Sequence, residues 1–321
     1  MARYVKISTI RLATGELYEA AKSSSEQKAV DAMIALWQKR IENDILPDKP
    51  DLIVFPEVSD CYPGLDVRKT HAYYCIRRKQ VRDFWGKVAR KNKCYIAYSA
   101  VREMEDGSWR NSTQIIDRMG KVAGAYNKNH LTVGEINEFG YLCGKDAPLI
   151  ECDFGKVACA ICFDLNFNQL RLKYVKAKPD LIIFSSVYHG GIMQNYWAYS
   201  CRAHFVGSIH HPVPSAIISP VGEVIASTTN YFNFATATVN LDCCVAHLDY
   251  NWDKLIAMKK KYGPKIKVHD PGLLGSVLIS SETDEFDIYH PVKEFEIELL
   301  DDYFERALAY QSENTEKIIE V

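Results

Sequence analysis

A four-layer α-β-β-α sandwich of the α/β (α+β) class, with two mixed β-sheets in one domain, is the fold this 321-residue sequence predicts. Three observations predict it. A short apolar motif occurs twice, each copy follows a helical pattern, and each is followed in the same order by a hairpin pattern. Two halves built alike from helix, buried strand and hairpin imply two sheets packed face to face with their helices outside.

The motif is Lys49-Pro50-Asp51-Leu52-Ile53-Val54-Phe55, and it recurs as Lys178-Pro179-Asp180-Leu181-Ile182-Ile183-Phe184. Each copy is a short, β-branched apolar run opened by Pro-Asp, the pattern of a buried strand. Ahead of the first, Val30, Met33, Ile34, Trp37 and Ile41 recur at helical spacing; ahead of the second, Phe167, Leu170 and Tyr174 do the same. The hairpins are Asn111–Asn127, turning at Met119-Gly120, and Pro214–Thr229, turning at Val221-Gly222. Extra length in the first half includes a helix with Val81, Phe84, Trp85, Val88 and Ala89 on one face. From Lys265 short apolar runs mix with Pro, Gly and acidic residues. The expected organisation is therefore a domain over residues 1–264 and a C-terminal extension over 265–321, an arm for oligomer contacts, with a short helix over Asp301–Ser312.

Apolar residues make up 47% and charged residues 25%, an ordinary globular balance, and the net charge of -2 points to no nucleic-acid partner. The charge is uneven: residues 281–321 carry 13 Asp or Glu against 3 Lys or Arg, a solvated acidic face or a tail for a basic surface. No apolar run approaches the roughly 18–20 residues of a membrane span. The opening MARYVKISTI has no apolar stretch of signal-peptide length, so the ten cysteines read as reduced thiols of a cytoplasmic protein.

Three residues carry the candidate chemistry. Cys162 ends the apolar strand Val157–Ile161 just before a helix, whose first amides would favour a thiolate. Glu57 ends the first repeated strand, in Phe55-Pro56-Glu57, and a carboxylate at the edge of a core strand suits a general base. Lys128 follows the strand Val122–Tyr126, and an ammonium near a thiol stabilises developing negative charge. Tyr188 and His189 follow the second repeated strand, at the counterpart of Pro56-Glu57, and are expected to touch substrate. Tyr62, Tyr141, Tyr188 and Trp197 would supply an aromatic wall. Other metal or redox readings are weak. Cys159 and Cys162 face opposite ways on an extended chain, adjacent Cys243 and Cys244 chelate one ion poorly, and His210 and His211 point to opposite faces. No metal and no cofactor is expected.

In combination these residues resemble the nitrilase (carbon-nitrogen hydrolase) superfamily. Phe55-Pro56-Glu57, Lys128-Asn129-His130-Leu131 and Cys159-Ala160-Ile161-Cys162-Phe163-Asp164 match its motifs in order, joined by Arg202-Ala203 and the hairpin Ser219–Ala226. The resemblance covers roughly residues 4–250. It implies a thioester route: Glu57 as base, Cys162 as nucleophile, Lys128 and the Phe163 N–H as oxyanion donors. It also implies a second glutamate, for which Glu135 fits best and Glu138 is the runner-up. The expected activity is hydrolysis of non-peptide carbon-nitrogen bonds, of amidase or N-carbamoyl amidohydrolase type, by a homo-oligomer acting on a small molecule without a membrane partner. The alternatives are nitrile hydrolysis and a catalytically idle binding or scaffold homologue. The chain departs from the family's commonest pattern at Phe163-Asp164 and at His204-Phe205, positions the resemblance places beside the pocket.

Overall fold

The computed structural model describes residues 1–11, 25–62, 64–210 and 212–315. They divide into two compact units, Val5–Val239 and Met1–Tyr4 with Asn240–Val321.

The larger unit is the sandwich the repeat predicts. Its first sheet has the order β12-β1-β2-β3-β4-β5, with β1 Tyr4–Ile10, β2 Leu52–Val54, β3 Tyr95–Glu103, β4 Trp109–Ile116, β5 Val122–Asn127 and β12 Phe234–Asn240. Its second has the order β11-β10-β9-β8-β7-β6, with β6 Ile150–Cys152, β7 Gly155–Ile161, β8 Leu181–Ser186, β9 His204–Ile209, β10 Ala216–Ile218 and β11 Val224–Ser227. Three central strands of each sheet are parallel, β1-β2-β3 and β7-β8-β9, and an antiparallel hairpin flanks each set.

The two motif copies do the same physical work. Lys49 and Lys178 both take a left-handed backbone, φ 51° in each, which stops the preceding helix and turns the chain into the sheet. Asp51 then accepts from the Lys6 N–H (3.0 Å) and Asp180 from the Lys156 N–H (2.8 Å), each tying its strand to the parallel neighbour. The hairpins repeat as well. Gly120 (φ 76°) and Gly222 (φ 80°) close them, and each has a register shift at the same step, Ile115/Ile116 and Ile217/Ile218. Gly120 also lies so close to the backbone of Gly86 that a Cβ would stand 2.3 Å from the Gly86 carbonyl oxygen, so no other residue fits.

Helices α1 (Glu26–Asp44), α2 (Val67–Arg77) and α3 (Gln80–Asn92) cover the first sheet. The apolar face of α1 buries Val30, Met33, Trp37 and Ile41 as its spacing predicts, while Ile34 is half-buried. Trp37, Phe55 and Trp85 form the centre of that core, with ring centroids 4.7 Å apart for Trp37–Phe55 and 4.3 Å for Phe55–Trp85. Between the sheets, side-chain hydroxyls bond across to the backbone of the opposite sheet. Thr9 Oγ1 donates to Gly207 O (3.0 Å), Ser208 Oγ to Ile10 O (2.9 Å) and Ser185 Oγ to Phe55 O (2.8 Å). These bonds satisfy groups that would otherwise be buried at a cost, and they fix how the strand ends face one another.

In the smaller unit β13 (Cys243–His247), β14 (Ile266–His269) and β15 (Ser276–Ser281) form a sheet in the order β13-β15-β14. It packs on the helix Trp252–Tyr262 through Cys244, Ala246, Leu255, Met258 and Ile279. The division therefore falls at 239/240 and not at the expected 264/265. β13 pairs with β15, 29 or more residues further on, so Cys243–Tyr262 belongs with the later segment. Composition changes at Lys265, but pairing decides the boundary.

Candidate active site

Five strand ends converge at one edge of the sandwich. β2 leads into Glu57, β5 into Lys128, β7 into Cys162, β8 into Val187 and β9 into His210. In sheets of parallel strands the carboxyl ends are where ligands bind, because the chain diverges there and leaves a crevice.

Lys128 is buried (1% exposed) and its ammonium has three acceptors: Glu57 Oε1 at 2.8 Å and Glu135 Oε1 and Oε2 at 2.9 Å each. An ammonium has three protons, so all are engaged. Burial alone would lower its pKa, but the charges of Glu57, Cys162 and Glu135 outweigh it and hold the pKa above the ordinary lysine value. Burial likewise would raise Glu135, and Lys128, with bonds from Thr132 and Asn111, brings it below the usual carboxylate range. Glu135 is held by the helix start Thr132–Glu135, where the Thr132 N–H donates to its Oε2 at 2.8 Å in a capping box. Glu138, the runner-up, is exposed at the end of that short helix, α4 (Val133–Asn137).

Glu57 is buried. Its Oε1 accepts from Lys128 and from Asn111 Nδ2 (2.8 Å), and its Oε2 from the Val187 N–H (3.1 Å). The residue after it, Val58, takes φ 44°, an uncommon left-handed backbone for a β-branched residue. His210 Nε2 lies 2.6 Å from the Glu57 carbonyl oxygen and bonds to it. His211 lies outside the described residues.

Cys162 stands at the end of β7, where the chain enters a 3-10 helix over Cys162–Asn166 and then α5 (Asn168–Ala177). Its own φ is 47°, a conformation costing roughly 1–2 kcal/mol for a residue with a Cβ. The thiol reaches the Glu57 carboxylate and the Val187 N–H as hydrogen-bond partners. Burial and then the Glu57 charge push its pKa up to about 12, against the lowering effect of Lys128. Burial and the Glu57 charge thus work against the ionisation that a helix start would favour.

Two further residues complete the arrangement: Asn111, which the sequence did not single out, and Asp164, noted there only as part of the cysteine motif. Asn111 Nδ2 donates to both Glu57 Oε1 (2.8 Å) and Glu135 Oε1 (2.9 Å), bridging the carboxylates. Asp164 is fully buried and accepts four bonds: from Ile161 N–H (3.0 Å) and Tyr126 OH (2.7 Å) on Oδ2, and from His130 N–H and His130 Nδ1–H (2.8 Å each) on Oδ1. It thus binds the lysine loop to the cysteine turn. Their signals were present in the sequence. Asn111-Ser112-Thr113-Gln114 is a polar run inside a core strand, where polar groups need partners, and Asp164 is a carboxylate at a helix start.

Of the expected substrate contacts, Tyr188 borders the cysteine: burial and then the Cys162 charge push its pKa up to about 12, and its hydroxyl accepts from Asn166 Nδ2 at 3.0 Å. Phe163 is 36% exposed and meets Phe167 edge-on at 5.1 Å. His189 is half-buried; its Nδ1 accepts from the Gly191 N–H (3.1 Å), and burial lowers its pKa. Tyr62 is turned away. It is 2% exposed in the core beneath α1, with its hydroxyl donated to the Ala29 carbonyl. Tyr141 and Trp197 are buried too, Tyr141 against Phe139 and His71 and Trp197 against Tyr174. His204 sits at the far end of β9, opposite Leu181, fully enclosed with its pKa lowered to about 4 by burial, so that departure from the family pattern does not touch the site.

The fold agrees with what comparison with known proteins finds. The family model described as carbon-nitrogen hydrolase matches residues 20–246. A hydrolase of Schizosaccharomyces pombe is 22% identical over 201 residues, covering 56% of this chain and 62% of that protein. The deaminated glutathione amidase of Rattus norvegicus is 24% identical over 192 residues, covering 52% and 55%. The matched segment thus spans less than two thirds of these two relatives. Among solved structures, a carbon-nitrogen hydrolase from Helicobacter pylori superposes with TM-score 0.61 at 16% identity, covering 75% of this chain and 90% of that one. An amidase from Nesterenkonia sp. gives TM-score 0.60 at 13% identity, covering 80% and 96%. The chain belongs to the carbon-nitrogen hydrolase family and has the fold of the nitrilase superfamily.

No helix of the described residues is long and apolar enough to cross a membrane, and no group of three or more His, Cys, Asp or Glu among them could hold a metal ion.

Proposed function

We propose that this protein hydrolyses a non-peptide amide, of amidase or N-carbamoyl amidohydrolase type, through a thioester on Cys162. One observation carries the reading: a buried lysine joins two carboxylates, and the first of these also reaches the thiol. Family membership and the amidases among its relatives and structural neighbours support it.

The neutral thiol sets the sequence of steps. Glu57 takes the Cys162 proton as sulfur attacks the carbonyl carbon, so no free thiolate accumulates. Lys128 and the Phe163 N–H, which as an early amide of a 3-10 helix has no acceptor within that helix, stabilise the oxyanion. Lys128 meets the oxyanion by releasing one of its two bonds to Glu135, whose other oxygen keeps it aimed. Glu57, now protonated, gives its proton to the leaving amine and then draws one from the water that cleaves the thioester. Asn111 holds both carboxylates in register, and Tyr188 and Phe163 line the acyl side. No metal or organic cofactor enters these steps. The ten cysteines, read as thiols, fit a reducing compartment such as the cytoplasm. A homo-oligomer, with the extension after Lys265 contributing contacts, is part of the same reading and is checked by light scattering.

The test is a panel of amides, N-carbamoyl amino acids and nitriles, read by ammonia release from wild-type and Cys162→Ala protein. Cysteine-dependent release from amides or N-carbamoyl compounds supports the proposal. Release from nitriles alone replaces it with nitrile hydrolysis, and release by the alanine variant ends the thioester route.

A further inference from the structure

A cavity of about 990 Å³ opens on the helix-covered face of the first sheet, where the end of α2 and the start of α3 lie over the β3–β4 hairpin. None of Glu57, Lys128, Glu135 and Cys162 lines it. Its inner wall is cationic. Arg102 and Arg110 stand directly opposite each other in the β3–β4 register, an arrangement that repels and destabilises unless something negative lies between them. Among the described residues no carboxylate bonds to either. Arg102 spends Nε on Ser112 Oγ (3.0 Å) and Nη2 on Asn127 Oδ1 (2.9 Å), leaving Nη1. Arg110 spends only Nη1, on Ser108 Oγ (2.9 Å) and Trp109 O (3.1 Å), leaving Nε and Nη2. Burial and then the Arg110 charge lower the pKa of Arg102.

A third guanidinium, Arg77, also lines the cavity. It is 3% exposed, and its Nε is buried with no acceptor among the described residues, although Nη1 holds Asp60 at 2.7 Å. Four acidic residues also line it. Asp83 pairs with Arg82, and Glu103, Glu105 and Asp106 are exposed at the rim. Asp106 accepts from Ser108 and also lies near enough to Arg110 to feel its charge, without a bond to it.

We propose that this cavity is a binding site for the oxyanion group, carboxylate or phosphate, of a small organic metabolite. The free edges of Arg110 and Arg102 take the anion, since planar guanidinium forks match such groups. It is separate from the candidate catalytic centre. Ser112 and Asn127, which hold Arg102, alternate along their strands with Asn111 and Lys128, so the two sets face opposite sides of the same sheet.

The experiment is calorimetric titration of the full chain with inorganic phosphate and, separately, with citrate, at low salt and again at 0.15 M chloride. The expected result is saturable one-site binding of at least one anion, weaker at higher salt and weakened about tenfold or more in Arg110→Gln. Arg110 sits at a strand end with only local bonds, so this variant folds; Arg102→Lys, which keeps charge but loses the fork, gives a second reading in the same direction. Phosphate alone identifies a phosphorylated ligand, citrate alone a carboxylate. Absence of saturable binding with both anions, or affinity unchanged in Arg110→Gln, overturns the proposal.

Discussion

Asp164→Asn is the perturbation with the clearest arithmetic. The side chain is the same size, but one carboxylate oxygen becomes an NH2 donor among four donors. If it replaces Oδ1 it faces the His130 N–H, and if it replaces Oδ2 it faces the Ile161 N–H. Tyr126 can rotate its hydroxyl and His130 can change tautomer, but a backbone N–H cannot reverse. One buried amide is orphaned either way, at about 1–3 kcal/mol. The remaining bonds lose their charge assistance, roughly half their strength. The total is about 3–5 kcal/mol. A unit of this size loses about 2–4 °C of melting temperature per kcal/mol, so thermal unfolding should begin roughly 10 °C lower. Because Ile161 immediately precedes the left-handed Cys162, displacement of its amide should also cost kcat/KM about a hundredfold. Calorimetry with the ammonia assay measures both. A variant melting within about 2 °C of wild type with unchanged kcat/KM would refute the view that Asp164 binds the lysine loop to the cysteine turn.

Four further outcomes are expected. Cys162→Ala should stop turnover, and Cys162→Gly should be more stable than Cys162→Ala by roughly 0.5–1 kcal/mol in urea unfolding, since glycine alone is unstrained at φ 47°; equal or reversed stabilities would remove the strain. Lys128→Ala should lower kcat/KM by about 10²–10³ and, by leaving Glu57 and Glu135 buried without their cation, destabilise by about 3–5 kcal/mol; near-wild-type kinetics in folded variant would end its oxyanion role. With a thiol pKa pushed to about 12, Cys162 should react with iodoacetamide at neutral pH more slowly than exposed Cys143, as peptide mass mapping would show, and faster labelling would indicate a resting thiolate. Glu135 has its pKa depressed on folding, so it contributes stability above the unfolded carboxylate value, about 4.3. That contribution is lost as pH falls through the lower folded value. Glu135→Gln should therefore flatten the acid limb of a stability–pH curve, and an unaltered limb would count against the pairing with Lys128.

The fold was legible because its signals are local. A β-branched run opened by Pro-Asp makes a strand wherever it occurs, Gly120 and Gly222 close hairpins through their own φ, and α1 shows its buried face in its spacing. Twofold occurrence of this order was enough to predict two sheets. The site was legible as far as strand ends go: Glu57, Lys128 and Cys162 each follow a strand, and the structure brings them together.

Tertiary structure alone decided the rest. It aimed Glu135 of a short helix at Lys128 and left Glu138 in solvent. It placed Tyr62, Tyr141 and Trp197 in the core and kept Tyr188 at the cysteine. It gave Asn111 and Asp164 their work, moved the division of the chain to 239/240, and set burial and the Glu57 charge against ionisation of the Cys162 thiol. The reason is the range of the forces. Strand and turn preferences act over a few residues, whereas burial and charge at Cys162 sum over Glu57, Lys128 and Val187, groups the chain brings together only after both sheets have closed on each other.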